Sequence, residues 1–294
     1  MTEGICFFVY NNDQIDYAKL AVAAAAYTKK FLNKPVCIIT DAGTWAWMQQ
    51  SHDNAYIKQV IDEVVITDDE MMRNIRVHND SPWTEFRAQF SNSNKHKVFE
   101  YSPYDKTLLL DIDYIVKTDF LNHAYDAYDG VAMFDRAVSI RNDVPHDNER
   151  WLFTSGVKMW WSTVVYFDKS PESKLFFDLW AHIADNYNYY QFLYNFPLGL
   201  FRTDYCVSIA AHILDGMTAG DYVSNFGNAI MQNLGQKDDI VKINTVTDWA
   251  CLAYDTRENW KNIVVRHDKY DVHVMNKRAL DRMLPKIREL NDGI

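Results

Sequence analysis

The chain has 294 residues, 48% of them hydrophobic, with 10 Gly and 7 Pro, enough to bury one large core and without the biased tracts or repeats that mark a linker. A formal net charge of -10 excludes a surface built as a whole to attract nucleic acid or anionic membrane, so such a partner needs a local basic patch: Lys95-His96-Lys97, or Lys277, Arg278, Arg282, Lys286 and Arg288. No window reaches the ~18 apolar residues of a membrane span, and Cys6, Cys37, Cys206 and Cys251 form no C-x-x-C pair, so the expectation is a cytoplasmic protein with reduced thiols and no membrane partner.

Gly4 to Tyr10 reads as a strand, Ile15 to Phe31 as an Ala-rich helix and Val36 to Thr40 as a second strand, a β-α-β unit. A short strand at Glu63 to Thr67, a helix from about Pro82 through Phe99 and a strand at Thr107 to Asp111 continue the alternation. The pattern predicts one α/β domain, a mostly parallel Rossmann-like sheet flanked by helices. Beyond Asp113 the pattern loosens into a strand at Gly130 to Phe134, a polar segment from Asp135 to Arg150 and an aromatic stretch from Trp151 to Trp161. Helices follow at about Pro171 to Tyr189 and Asp204 to Leu214.

In open sheets ligands gather at the carboxyl ends of the strands. Three such ends carry polar residues: Tyr10-Asn11-Asn12-Asp13, Thr40-Asp41 and Asp111-Ile112-Asp113. In extended chain Asp111 and Asp113 share a face, and two carboxylates so close repel unless a cation lies between them. Hard ions such as Mg²⁺ or Mn²⁺ take oxygen ligands and bridge to phosphates. Neither G-x-G-x-x-G nor a P-loop is present, so backbone amides are not arranged to hold phosphate and a metal must do more of that work.

Further motifs stand in order around this pair: Asn12-Asp13 before Tyr17-Ala18-Lys19, Lys95 ahead of Asp111, Phe153-Thr154-Ser155-Gly156-Val157, Thr203-Asp204-Tyr205, and Val272-His273-Val274-Met275-Asn276-Lys277. Over roughly residues 4 to 277 the chain resembles GT-A glycosyltransferases, and among them the glycogenin-like, nucleotide-sugar-dependent enzymes. Thr154 stands where those carry Asn and Tyr205 where they carry Gln. The resemblance implies a GT-A fold, with residues 1–113 as the nucleotide-binding half and 114–294 as the acceptor-binding half. It implies that Tyr10, Asn11, Asn12 and Tyr17 meet the base, that Lys95 and Lys277 meet the diphosphate, and that Ser155 and Gly156 approach the sugar. Asp111, Asp113 and His273 would hold Mn²⁺ or Mg²⁺, with Asp111 also near ribose. Asp204 would act at the sugar, joining Asp113 and Lys277 as catalytic groups; His267 and Lys97 are reserve candidates.

The implied reaction is sugar transfer from a nucleotide sugar, a UDP-sugar favoured, to an acceptor hydroxyl with retention, the departing phosphate accepting the proton. Inversion would need another carboxylate, from Asp135, Asp143 or Glu149. Trp160-Trp161 or Tyr187 to Tyr194 offer stacking faces for sugars or bases. The chain is also similar to glycosyltransferases of tailed bacteriophages, which points to a hydroxymethylated base of phage DNA as acceptor in the host cytoplasm. Two other readings stay open: a nucleotidyltransferase, although Tyr10-Asn11-Asn12-Asp13 lacks that class's Gly- and Lys/Arg-rich loop, and a catalytically inactive sugar-nucleotide-binding or scaffold protein on the same fold.

Overall fold

Strict alternation in the central strands packs two cores at once. In β1 (Glu3–Val9), Ile5, Phe7 and Val9 face one side of the sheet and Cys6 the other. In β6 (Lys106–Leu110), Leu108 and Leu110 join the first side and Leu109 the second. Each fully buried side chain of this size contributes roughly 1.5–3 kcal/mol. The computed structural model describes residues 1–68, 74–91, 93–141, 150–197, 199–227, 229–254 and 262–292; Asp143 and Glu149 lie outside them.

The main sheet has seven strands in the order β11 (Val223–Asn225), β8 (Val131–Phe134), β10 (Trp161–Asp168), β6, β1, β2 (Val36–Thr40), β3 (Glu63–Ile66). Its pairings are parallel except around β10, which runs against both neighbours. The mostly parallel α/β sheet expected from the alternation is therefore present. On one face lies the Tyr17–Leu32 helix, on the other the helices Pro171–Asp185 and Thr203–Leu214. Cys6 and Cys37 stand opposite each other in β1 and β2, and all four cysteines are buried free thiols. Among the described residues no helix is long and apolar enough to cross a membrane.

The helix expected from about Pro82 through Phe99 is not formed. The chain makes an antiparallel hairpin of β4 (Asn74–Ser81) and β5 (Thr84–Phe90), and only Lys95–Lys97 and Val98–Tyr101 are helical. Ile75-Arg76-Val77-His78 alternates apolar and polar residues with period 2, which a strand satisfies and a helix does not. The basic C-terminal run holds this hairpin down. From the Lys277–Asp292 helix, Arg278 stacks 3.8 Å over the Phe86 ring and Arg282 pairs with Asp80 at 2.6 Å and Asp239 at 2.8 Å. Arg288 pairs with Asp53 and Lys286 with Glu289, so beyond Lys277 the run is spent on protein contacts. The single helix expected at Pro171 to Tyr189 ends at Asp185, and a second spans Tyr187–Tyr194.

A four-stranded sheet orders β7 (Tyr114–Ile115), β16 (Val272–Val274), β12 (Met231–Leu234) and β9 (Ala137–Ser139). The remaining strands, β13 (Asp239–Ile243), β14 (Trp249–Ala253) and β15 (Ile263–His267), form a small antiparallel sheet. Asp271, just before β16, accepts hydrogen bonds from the Lys117 and Thr118 amides at 2.7 and 2.9 Å, while Lys117 Nζ lies 2.7 Å from His267 Nδ1 and 4.7 Å over the Trp249 ring. His267 is thus a buried side chain that does not belong to the cluster of Asp111, Asp113 and His273.

Burial pushes the His267 imidazole down to about 3, and burial with the Lys277 and Arg76 charges pushes His78 down to about 4. The unfolded chain therefore takes up these protons first, and stability is lost as pH falls from about 6.5 toward 4. Asp271, raised to about 6 by burial, works oppositely, gaining stability as pH falls through the same range. Urea unfolding at pH 7 and pH 5 reads the histidine share, which lowers stability on acidification. His78→Gln should flatten the profile, since each titrating group contributes at most about 1.4 kcal/mol per pH unit; an unchanged pH slope would contradict the assignment.

Candidate active site

β1 and β6 are adjacent and parallel, while the chain leaves β1 toward β2 and β3 and returns to place β6 on the other side. Their carboxyl ends thus open at a topological switch point. A cleft of about 650 Å³ lies there, a volume suited to a nucleotide-sized ligand.

Asp111 and Asp113 do not sit in extended chain. The Tyr114 amide donates to the Asp111 carbonyl at 2.9 Å, closing a turn that brings the carboxylates together. The register of the second sheet supplies the third group: His273 in β16 pairs with Tyr114 in β7 and with Asn233 in β12. One ligand atom each from Asp111, Asp113 and His273 lie within 4.8 Å of one another. His273 Nδ1 is 3.2 Å from Asn233 Oδ1, and its Nε2 is 3.2 Å from Asp113 Oδ2. With Nδ1–H donating to Asn233, the Nε2 lone pair meets a carboxylate oxygen, an arrangement that requires a shared proton or cation. Two carboxylates and an imidazole with its second nitrogen fixed are a suitable donor set for Mn²⁺ or Mg²⁺. Asn233→Ala is expected to weaken Mn²⁺ binding by about 10–100-fold in a calorimetric titration; unchanged affinity would mean that the amide does not orient the ring.

Each carboxylate also has an ammonium. Lys95 Nζ ion-pairs with Asp111 and Lys277 Nζ with Asp113, and all four residues line the cleft. Burial alone would raise the Asp113 carboxyl; Lys277 and His273 overcome it and hold the group below the usual carboxylate range. Burial, opposed by Lys95 and reinforced by the Asp113 charge, raises Asp111. One carboxylate is thereby firmly ionised.

Asp204 stands in the first turn of the Thr203–Leu214 helix and also lines the cleft. Its Oδ1 accepts from the Ser162 amide at 3.0 Å and hydroxyl at 2.8 Å, and its Oδ2 from Arg202 at 3.1 Å. Arg202 also lies over the Tyr205 ring and donates to its hydroxyl at 3.2 Å.

Tyr10 and Tyr17 line the cleft, the Tyr17 hydroxyl buried without a hydrogen-bond partner among the described residues. Asn11 and Asn12 do not line it. Asn11 Oδ1 accepts from the Tyr17 amide at 2.7 Å, and Asn12 Oδ1 from the Gln14 and Ile15 amides, so both shape the loop before the helix. Asp41 caps the Ala42–Ser51 helix through the Thr44 amide at 2.8 Å. Ser155 and Gly156 form a turn away from the cleft, where Gly156 adopts φ +74° and Ser155 donates to the Leu152 carbonyl; Phe153 provides the wall instead. Asp135 pairs with Lys158 at 3.0 Å and, like Lys97, is not among the lining residues.

Arg76, His78, Arg202 and Asn233 line the cleft without having been anticipated. The first two lie in β4, just before the span expected as a helix and not read as a strand, although their period-2 spacing was the available signal. Asn233 carries no local signal.

No family model and no curated protein matches the chain. Solved structures similar to it include the galactosyltransferase LgtC in complex with donor and acceptor sugar analogues, 13% identical, covering 100% of this chain and 96% of that one with a TM-score of 0.47. The glycosyltransferase GlyE of Streptococcus pneumoniae is 12% identical over 76% of this chain, with a TM-score of 0.42; the match spans only 45% of GlyE. The mannosyltransferase PcManGT of Pyrobaculum calidifontis, in complex with GDP-Man and Mn²⁺, is 13% identical over 75% of this chain and 56% of its own, with a TM-score of 0.33. Likeness at this level bears on neither substrate nor mechanism, and the functional reading rests on the side chains themselves.

Proposed function

We propose that this chain is a metal-dependent glycosyltransferase moving a sugar from a nucleotide sugar, with UDP-sugars favoured, to an acceptor hydroxyl. The observation that carries the reading is the Asp111, Asp113 and His273 cluster in a cleft at the switch point, with a lysine on each carboxylate. A bound Mn²⁺ or Mg²⁺ supplies Lewis-acid stabilisation of the leaving diphosphate. Lys95 and Lys277 place positive charge beside it, where charge develops as the glycosidic bond breaks. Tyr10 and Tyr17 present aromatic faces to the base at the carboxyl end of β1. Residues 1–113 supply this donor side, while 114–294 contribute the sugar and acceptor walls together with His273 and Lys277.

A retaining reaction is the reading that the described carboxylates support. Those lining the cleft among the described residues are Asp111, Asp113 and Asp204; two belong to the cation cluster, and Asp204 already accepts from Ser162 and Arg202. None stands ready as a dedicated base, so the departing phosphate takes the acceptor's proton. The acceptor suggested by the phage resemblance is a hydroxymethylated DNA base. In the C-terminal basic run Arg282, Lys286 and Arg288 are engaged in ion pairs and Arg278 stacks on Phe86.

The test is nucleotide release from a panel of UDP-, GDP- and CMP-sugars with Mn²⁺ or with EDTA. Metal-dependent release from one nucleotide class is the expected result. Binding without turnover under every acceptor condition would favour the inactive sugar-nucleotide-binding reading.

A further inference from the structure

A second hollow, of about 510 Å³, lies among the helices Tyr17–Leu32, Asn54–Val60 and Lys277–Asp292, a volume in the range of small-ligand pockets. It is distinct from the catalytic cleft. Tyr17, which lines the cleft, opens the helix whose last turn carries Lys30, and the two stand roughly 20 Å apart at about 1.5 Å per residue. Ala26, Ala55 and Val60 give the hollow apolar walls, and at its side Arg288 lies 4.6 Å over the Tyr56 ring.

Two polar side chains that line this hollow have buried atoms with nothing to bond. The Lys30 ammonium and both the oxygen and the nitrogen of the Asn291 carboxamide lack a hydrogen-bond partner among the described residues. The adjacent lysine is satisfied: Lys29 Nζ meets Asp62 at 2.7 Å and the Gln59 carbonyl at 2.9 Å. The carboxylate that lines the hollow, Asp53, is engaged elsewhere, accepting from the Ala55 and Tyr56 amides at 3.0 and 3.3 Å and from Arg288 at 3.0 Å. Burial accordingly lowers the Lys30 pKa from its ordinary value. An ammonium withdrawn from water is costly until an anion meets it, and an unmet carboxamide adds to that cost. A carboxamide offers one acceptor and two donors, so a hydroxyl, which both donates and accepts, can satisfy it.

We propose that this hollow is a second ligand site that takes a small hydroxylated organic anion, its oxyanion on Lys30 and its hydroxyl on the Asn291 carboxamide. The oxyanion is a phosphate or a carboxylate, and the two sources are separable by experiment. The site is independent of the nucleotide-sugar reading of the cleft.

The test is calorimetric titration of the full chain, free of metal and nucleotide, with glycerol 3-phosphate, glycerate and glycerol, and with inorganic phosphate and acetate as anions that lack the hydroxyl. One of the two hydroxylated anions is expected to bind at least about tenfold more tightly than glycerol, and its identity names the source. Lys30→Met should remove that advantage, and Asn291→Leu should remove the advantage of the hydroxylated anion over inorganic phosphate or acetate. An anion bound in the catalytic cleft would be held equally by wild type and Lys30→Met, so the difference between them reads the hollow alone. Thermal unfolding of the ligand-free proteins guards against loss of fold: Lys30→Met is expected to unfold at no lower a temperature than wild type, because it removes an unmet charge. UDP binding with Mn²⁺ should be unchanged in Lys30→Met. Binding of neither anion, or equal anion affinity in wild type and Lys30→Met, would overturn the proposal. So would marked destabilisation of Lys30→Met, which would show that the ammonium is already satisfied within the protein.

Discussion

Asp113→Asn is expected to reduce Mn²⁺-dependent sugar transfer by about a thousandfold, because a Lewis-acid contribution of several kcal/mol is lost at ~1.4 kcal/mol per tenfold. The same change should destabilise the metal-free protein. Asp113 is 4% exposed and lies against Lys277 and His273, and removing one partner of a buried ion pair typically costs about 3–5 kcal/mol because the other charge is left uncompensated. Combining it with Lys277→Met removes that orphaned charge, so thermal unfolding in EDTA should show the double variant recovering much of the stability lost by Asp113→Asn alone, with no recovery of turnover. Recovery of neither, or wild-type turnover from Asp113→Asn, would refute the role given to the pair.

Lys277→Met alone should move two quantities in opposite directions. In the metal-free protein the Lys277 ammonium occupies the Asp113 carboxylate, so removing it frees the strongest anionic donor of the cluster. Mn²⁺ affinity is therefore expected to rise, by about tenfold if half of a buried charge-assisted contact was being displaced. Turnover should nevertheless fall by about 10²–10³-fold, since the ammonium no longer stabilises charge on the leaving diphosphate. Calorimetric titration with Mn²⁺ and steady-state nucleotide release separate the two. A parallel fall in both would mean that Lys277 helps to build the cation site rather than competing for it.

The parts legible in the sequence are those in which local pattern decides structure. The apolar strands at Val36–Thr40 and Lys106–Leu110 lie in the centre of a two-faced core, where a short hydrophobic run between polar turns has few other solutions. Asp111 and Asp113 were legible as a pair although the reason given for their proximity was incomplete: a turn, not strand alternation, brings them together. The hairpin was missed because two-stranded elements depend on contacts far along the chain. Arg278 and Arg282 hold β4 and β5 from about two hundred residues downstream, and the local period-2 spacing of Ile75 to His78 does not contain those contacts. Asn11 and Asn12 illustrate the converse: their position at a strand end suggested ligand contact, but short side chains before a helix satisfy backbone amides first. Asn233 enters the site only through the β12–β16 register, which is set by the assembled sheet.

UDP binding to the wild type and to Asp113→Asn, each with Mn²⁺ and with EDTA, tests the cleft most directly. With ligand at 100 times its dissociation constant the folded state gains about 2.7 kcal/mol, so thermal unfolding and calorimetry should agree. The expected result is tight binding only for the wild type with Mn²⁺, and little for the variant under either condition. UDP binding that is equal with and without metal, or equal in the two proteins, would contradict the assignment of Asp111, Asp113 and His273 as the centre of a nucleotide-sugar site.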